Sequence, residues 1–271
     1  MSGVDQALWD IYGKVVRMPV AQLLGGVHTA NLRAYASALM PDTAQEAGAL
    51  AERYARLGYR AMKFGWGPIG RDHRLDEDLV RSIRSAVGPD VEVMIDAGQV
   101  WDLKGALRIA PVYERYGVAW LEEPLHPDDV SGYRSLARST TIPIAAGEQE
   151  SGRFAFQRLI EEAEIDILQP DLGRCGGFTE GMNIAHSAHI RRKRVVPHAF
   201  KSGILLSASA HFAAAIPNGG MIEYTVSTSP IARDLVVNPL HFVDGYVSVP
   251  LDRPGLGVDL DERVIDRYRV A

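Results

Sequence analysis

Six polar residues recur along this chain at an almost even interval, each directly after a short apolar run. They are Asp96 in VEVMIDAGQ, Glu122 in VAWLEEPL, Glu148 in IPIAAGEQ, Asp171 in IDILQPDLG, His198 in RVVPHAF and Glu223 in GGMIEYTV, spaced 23 to 27 residues apart. One strand, one helix and two turns occupy about that length. The interval therefore predicts successive β/α units, each delivering a polar side chain from the C-terminal end of its strand. In a closed parallel barrel those ends meet on one face, the face that carries active sites.

The chain has 271 residues, enough for one α/β barrel of roughly 250 residues. A net charge of -5 gives no basic footprint for nucleic acid. A single cysteine, Cys175, excludes an internal disulfide and fits a reducing compartment. No apolar run approaches the ~20 residues of a membrane span, and the N-terminus lacks a basic-then-apolar secretory pattern. A cytoplasmic protein with a small-molecule partner, and neither nucleic acid nor membrane, is expected.

Residues 1–26 read as an amphipathic lead-in helix, broken at Pro19 and closed by Gly25-Gly26. Residues 27–238 read as the barrel. Strands are expected at 32–39, 59–64, 91–95, 118–121, 142–145, 165–168, 194–197 and 220–222, with a helix after each of the first seven. These strands are short and fully apolar, as burial on both faces demands. Residues 239–271 carry turns at Asp244-Gly245 and Pro254-Gly255 and no further β/α unit, and read as a C-terminal arm.

Asp96, Glu122 and Glu148 form the first constellation. Singly, each reads more readily as a strand-end acid paired with Lys or Arg. Three on adjacent strand ends cannot share a dry pocket without a cation, because like charges repel strongly there. Hard oxygen ligands suit Mg²⁺, which can stabilise the enediolate left when an α-proton leaves a carboxylate substrate. Asp171 and His198 form the second: the carboxylate holds the imidazole in one tautomer and raises its basicity. Glu223 is placed to donate a hydrogen bond to the developing enediolate, if protonated. Lys63, in AMKFGWGP, ends strand two and is a candidate substrate ligand or base. Glu123 is expected to point away from the metal and make a structural pair.

In their order, VMIDAGQ, WLEEPL, AAGEQ, QPDLGRCGG, VPHAF and MIEY resemble the strand-end motifs of the enolase superfamily, and of its mandelate racemase branch in particular. GVDQALWDIYGK with PVAQLLGG resembles the helix leading into that family's barrel. The resemblance covers nearly the whole chain. It implies a modified TIM barrel, (β/α)₇β, with a separate α+β capping domain. It also implies Mg²⁺ on Asp96, Glu122 and Glu148, an Asp171–His198 acid/base dyad, Glu223 as enediolate donor, and a homo-oligomer. Three departures stand out. The Lys-x-Lys pair of mandelate racemase reads Lys63-Phe64-Gly65 here, so the second base is absent. Ala97-Gly98 follows the metal Asp where many relatives carry Asn, leaving Trp101 as the candidate to fill the space and Trp66, in GWGP, as a candidate to line the pocket. The chain begins where the barrel domain begins, so a cap on the order of 100 residues, against which the arm would pack, is expected to be missing.

Loss of one base argues against two-base racemisation and for syn dehydration of a sugar acid, aldonate or aldarate, to a 2-keto-3-deoxy acid. Lys201, in the loop after strand seven, is a further cation for a distal carboxylate or for solvent. A cycloisomerase or epimerase using Lys63 is the first alternative. A non-catalytic, truncated barrel fragment is the second.

Overall fold

The computed structural model describes residues 1–269; residues 270 and 271 of the C-terminal arm lie outside the described residues. The chain opens with α1 (Ser2–Val16), stopped where Arg17 turns left-handed, and a short α2 (Val20–Leu23) begun after Pro19. Strands and helices then alternate: β1 (Asn31–Leu39), α3 (Ala44–Arg56), β2 (Ala61–Gly65), α4 (His73–Val87), β3 (Glu92–Asp96), α5 (Leu103–Arg115), β4 (Val118–Glu122), α6 (Val130–Ala137), β5 (Ile144–Ala146), α7 (Gly152–Glu161), β6 (Ile167–Leu168), α8 (Gly177–Ile190), β7 (Arg194–Val195), α9 (Gly203–Ala215) and β8 (Met221–Thr225). Five of these helices start where a short oxygen-bearing side chain caps free backbone N–H groups: Thr43, Asp72, Asp102, Asp129 and Ser202.

All eight strands run parallel, in the order β8-β1-β2-β3-β4-β5-β6-β7. No ladder joins β7 to β8; the seam there is bridged by the Val195 N–H on the Asn218 carbonyl, 2.9 Å. The barrel is nonetheless filled as one core. Tyr35, Ala61, Met94, Trp120, Ala145, Ile167, Val196 and Met221, one from each strand or its end, form a single buried apolar cluster. This is the interior packing of a (β/α)₇β barrel. Tyr35 and Trp120 meet edge to face at its centre, 5.4 Å between rings.

After β8 come α10 (Pro230–Arg233), a hairpin of β9 (Phe242–Val243) and β10 (Tyr246–Ser248), and α11 (Glu262–Tyr268). The arm is expected from the sequence to meet a capping domain; among the described residues it contacts the barrel itself, at β1, at α1–α2, at α9 through Ser207 on the Leu256 carbonyl, and at Tyr59, on which Phe242 stacks. β10 pairs antiparallel with the start of β1, Asn31 opposite Ser248. Gly255 lies so close to Gly13 that a Cβ on Gly13 would sit 2.7 Å from the Gly255 Cα. The Gly255 carbonyl accepts the Val20 N–H at 2.9 Å. The outer face of α1 leaves Val4, Leu8, Ile11, Tyr12 and Val15 exposed.

Candidate active site

The apolar cluster inside the barrel determines what lies above it. Strand side chains alternate faces, so the residue two positions on points the same way, one layer nearer the C-terminal mouth. From Tyr35, Ala61, Met94, Trp120, Ile167, Val196 and Met221 this step gives Ser37, Lys63, Asp96, Glu122, Gln169, His198 and Glu223. All seven are buried. Glu148 arrives one residue past Gly147, whose φ of +128 turns the chain inward after β5.

Asp96, Glu122 and Glu148 each offer a carboxylate oxygen, and these oxygens lie within 4.8 Å of one another. Burial, then the neighbouring Glu122, pushes Asp96 well above its ordinary pKa; burial and Glu122 also raise Glu148, against the pull of His198. Lys63 enters the same cluster. Its ammonium contacts Glu122 Oε1 and lies 3.0 Å from Glu223 Oε1 and 3.9 Å from Asp96 Oδ2. Burial alone would lower its pKa, but Glu122 and Glu223 outweigh it and hold the lysine charged. A surface lysine is thereby excluded. Four acids face one fixed cation, Lys63, and a second, His198, only when its ring is protonated, so this inner set is at least two positive charges short, and the acids offer only hard oxygens. A divalent cation fits both the charge and the ligand type.

Glu122 is fixed from behind. Its Oε2 accepts the Trp120 indole N–H at 3.0 Å and the Gln169 amide at 2.7 Å. Asp96 accepts the Gly98 N–H at 3.0 Å and the Trp66 indole at 3.2 Å. Sequence reasoning missed Ser37, Trp120 and Gln169. The step of two from the apolar layer is the signal that finds them, and it is readable only once the strands are placed to the residue.

His198 Nδ1 lies 3.0 Å from Asp171 Oδ2, and its Nε2 faces Glu148 Oε2 at 3.2 Å and Glu223 Oε2 at 3.9 Å. The Asp171 pKa falls to about 2: burial opposes the fall, but hydrogen bonds from His198 and Lys201 outweigh it. An ionised carboxylate only accepts, so Nδ1 carries a proton and Nε2 is the atom presented to the pocket. Burial would lower the imidazole, but Glu223, Asp171 and Glu148 lift it to about 9. Glu223 departs from the protonated donor expected of it. Both oxygens accept, from the Ser37 hydroxyl and the Ala199 N–H, each at 2.7 Å. Burial would raise its pKa, yet Lys63 and His198 hold it below the ordinary value. Glu123 turns away at a φ of 39 and takes the Gln99 amide at 2.7 Å; burial and Glu148 bring it up to about 7.

Ser37, Lys63, Asp96, Glu148, His198 and Glu223 line a cavity of about 200 Å³ at the barrel mouth, with Glu122 and Asp171 packed behind them. Trp66 lines it, whereas Trp101 packs edge-on against Tyr113. Gly65 has a steric reason: a Cβ there would sit 2.6 Å from the Asp96 Cβ. Gly98, at a φ of +58, lies under the Trp66 ring, where a Cβ would come within 3.1 Å. Cys175 is buried outside this cavity and its thiol is pushed up to about 12, mainly by burial, which leaves it inert.

The family description "Enolase C-terminal domain-like" matches residues 46–264, and "Mandelate racemase / muconate lactonizing enzyme, N-terminal domain" matches residues 1–25. The chain belongs to the mandelate racemase/muconate lactonizing enzyme family of the enolase superfamily. Among members of that enzyme family, it is 33% identical to the D-galactarolactone cycloisomerase of Agrobacterium fabrum, over 100% of this chain and 74% of that protein. It is 30% identical to the arabinonate dehydratase of Saccharolobus solfataricus, over 99% of this chain and 72% of that protein. The crystal structure of the 3,6-anhydro-D-galactonate cycloisomerase from Zobellia galactanivorans superposes with a TM-score of 0.93 at 34% identity, over 100% of this chain and 75% of that one. Residues 1–25, which include α1 and α2, fall in the N-terminal domain's match; the C-terminal match starts within α3, and β1 lies between the two.

Proposed function

We propose that this chain is a Mg²⁺-dependent hydro-lyase that dehydrates a sugar acid, an aldonate or aldarate, to a 2-keto-3-deoxy acid. One observation carries the reading: the pocket holds a single acid/base dyad, Asp171–His198, and the position of a second base is Gly65, where Asp96 leaves no room for a side chain. The similarity to an arabinonate dehydratase supports it.

Asp96, Glu122 and Glu148 would hold the ion, which would supply the Lewis-acid charge that makes the α-proton of a carboxylate substrate acidic. Lys63, kept charged by Glu122 and Glu223, offers a second cation to that carboxylate. His198 in its neutral form takes the α-proton at Nε2, while Asp171 keeps the ring oriented. The imidazolium so formed returns that proton to the β-hydroxyl, which leaves as water on the same face. The resulting enol tautomerises to the keto acid. Glu223, anchored on Ser37 and the Ala199 N–H, keeps Lys63 at the substrate end of the pocket.

The test is an acid-sugar panel in D₂O with Mg²⁺, followed by NMR. Keto-acid formation from one substrate, reduced about 10²–10⁴-fold by His198→Asn, is the expected result; a keto acid formed equally by that variant excludes the dyad. The similarity to two cycloisomerases and the place of Lys63 favour a second reading, lactone cycloisomerisation with Lys63 as base. The carboxylates around Lys63 work against it, since they hold the amine protonated. Lys63→Met separates the two. A His198-based dehydratase keeps α-proton exchange, and a Lys63-based enzyme loses it.

A further inference from the structure

The wall formed by the loops after β6 and β7 carries two cations that the proposed chemistry does not use. Lys201 stands three residues after His198, and Arg174 three after Asp171. Both line the cavity. The Lys201 ammonium lies 2.8 Å from Asp171 Oδ2, the same oxygen that holds His198, and its side chain is 46% exposed. The Arg174 guanidinium lies 3.9 Å from that oxygen and is 37% exposed. Its Nη1 is tethered to the Glu148 carbonyl at 3.2 Å and to Gln149 Oε1 at 2.8 Å.

Charge bookkeeping on this wall differs from that around Lys63. Two cations surround one carboxylate, Asp171, so a positive charge is left over at the rim. Of the other lining residues, Ala38, Leu39, Gly65, Trp66 and Phe200 carry no charge. Lys63, His198, Arg174 and Lys201 line one cavity, so Lys201 and Arg174 are the cations open to the far end of a ligand whose carboxylate is drawn to Lys63 and whose α-carbon stands at His198 Nε2. A neutral CH₂OH terminus needs no cation there. A second carboxylate would meet one surplus positive charge, presented half in solvent by flexible side chains.

From this juxtaposition we infer that Lys201 and Arg174 form a subsite for a distal carboxylate, and that the preferred substrates are dicarboxylic sugar acids, aldarates, over the corresponding monoacids. The inference rests on the acid-sugar reading above and narrows it. Lys201 is then a specificity residue: in the free protein it rests on Asp171, and with a diacid bound it also meets the substrate.

Binding tests this without requiring turnover. Dissociation constants are measured by calorimetry, in Mg²⁺ and at constant ionic strength, for C6 aldarates and for aldonates of the same configurations. The intact protein is expected to prefer the diacid by about tenfold, the scale of one partly exposed charge-assisted hydrogen bond. Lys201→Met should bring the ratio close to one, and Lys201→Arg should restore it. Arg174→Gln should lower it in the same direction. Mg²⁺ affinity, measured on each variant without sugar, checks that the inner site is intact. Equal binding of diacid and monoacid, or a preference that survives Lys201→Met, overturns the subsite and leaves the acid-sugar reading standing. Mg²⁺ binding with no affinity for either acid class overturns both.

Discussion

At Gly65 the constraint is a distance. A Cβ built there would meet Asp96 Cβ at 2.6 Å and its Cγ at 2.9 Å. Gly65→Ala should therefore displace the Asp96 carboxylate or strain β2, at about 1–3 kcal/mol for an overpacked methyl. We expect Mg²⁺ affinity to fall at least about tenfold, read by calorimetric titration beside a thermal melt; unchanged affinity would remove the steric account of the missing second base. Gln169 acts from the other side. Its amide donates to Glu122 Oε2, and its own Oε1 is buried without a partner among the described residues, so Glu122 sets the orientation of the amide. Gln169→Leu keeps the volume and deletes the donor. Loss of such an outer hydrogen bond typically weakens metal binding about 10–100-fold, and a titration giving the intact protein's affinity would make Gln169 mere filling.

At the scale of elements, α9 shows how burial on all sides sets a titration. From Leu205 to Ala215 every residue of this helix is buried, His211 among them. His211 Nδ1 accepts the Ala21 N–H at 3.2 Å, tying α9 to α2, and the backbone of Leu256 is the polar group that counters burial at the ring. Burial pulls its pKa down to about 4. Unfolded, the same ring titrates near its ordinary value of about 6.5, so below that pH the unfolded chain takes up a proton that the folded one refuses. The contribution is complete above about pH 6.5 and is lost as pH falls toward about 4, amounting to about 3 kcal/mol. Denaturant melts across that window should show a stability slope that His211→Gln flattens by one proton; parallel slopes would mean that the buried ring accepts a proton at no cost. The elements themselves were largely legible. Thr43, Asp102 and Asp129 announce helix starts, and the strand-end acids fall on a beat that only β/α units produce. β5 to β7 are shorter than their apolar runs suggest: Ile142 precedes Pro143, which has no N–H to give a ladder, and β5 pairs only from Ile144. The pairing of the arm with β1 was not legible, because strands of two or three residues have no period to read. That Lys63 and Glu223 stand at the ends of their strands was legible, but their charge states were not. These depend on which acids surround them, and that is a property of the closed barrel.

For the whole molecule, the fold gathers Asp96, Glu122, Glu148 and Glu223 around only Lys63 and His198, and the deficit of at least two charges is carried by the barrel itself. The raised values of Asp96 and Glu148 express it. A carboxylate with a raised folded pKa adds stability below its unfolded value and loses that contribution as pH rises through the folded one. Without a cation the barrel should thus weaken as these two acids ionise, whereas an ion binds the ionised forms that the bare site resists. Mg²⁺ at about 100 times its dissociation constant should stabilise the folded chain by about 2.7 kcal/mol, or about 5–10 °C in Tm for a chain of this size. The increment should grow as pH rises, since protons and the ion compete for the same oxygens. Melts in Mg²⁺ and in EDTA, at several pH values and constant ionic strength, measure it. Asp96→Asn removes one ligand and one negative charge, so it should raise the Tm in EDTA and abolish the response to Mg²⁺. Identical melts with and without the ion at every pH would mean that Lys63 and His198 already satisfy the cluster, and that the barrel holds its acids for some purpose other than a metal.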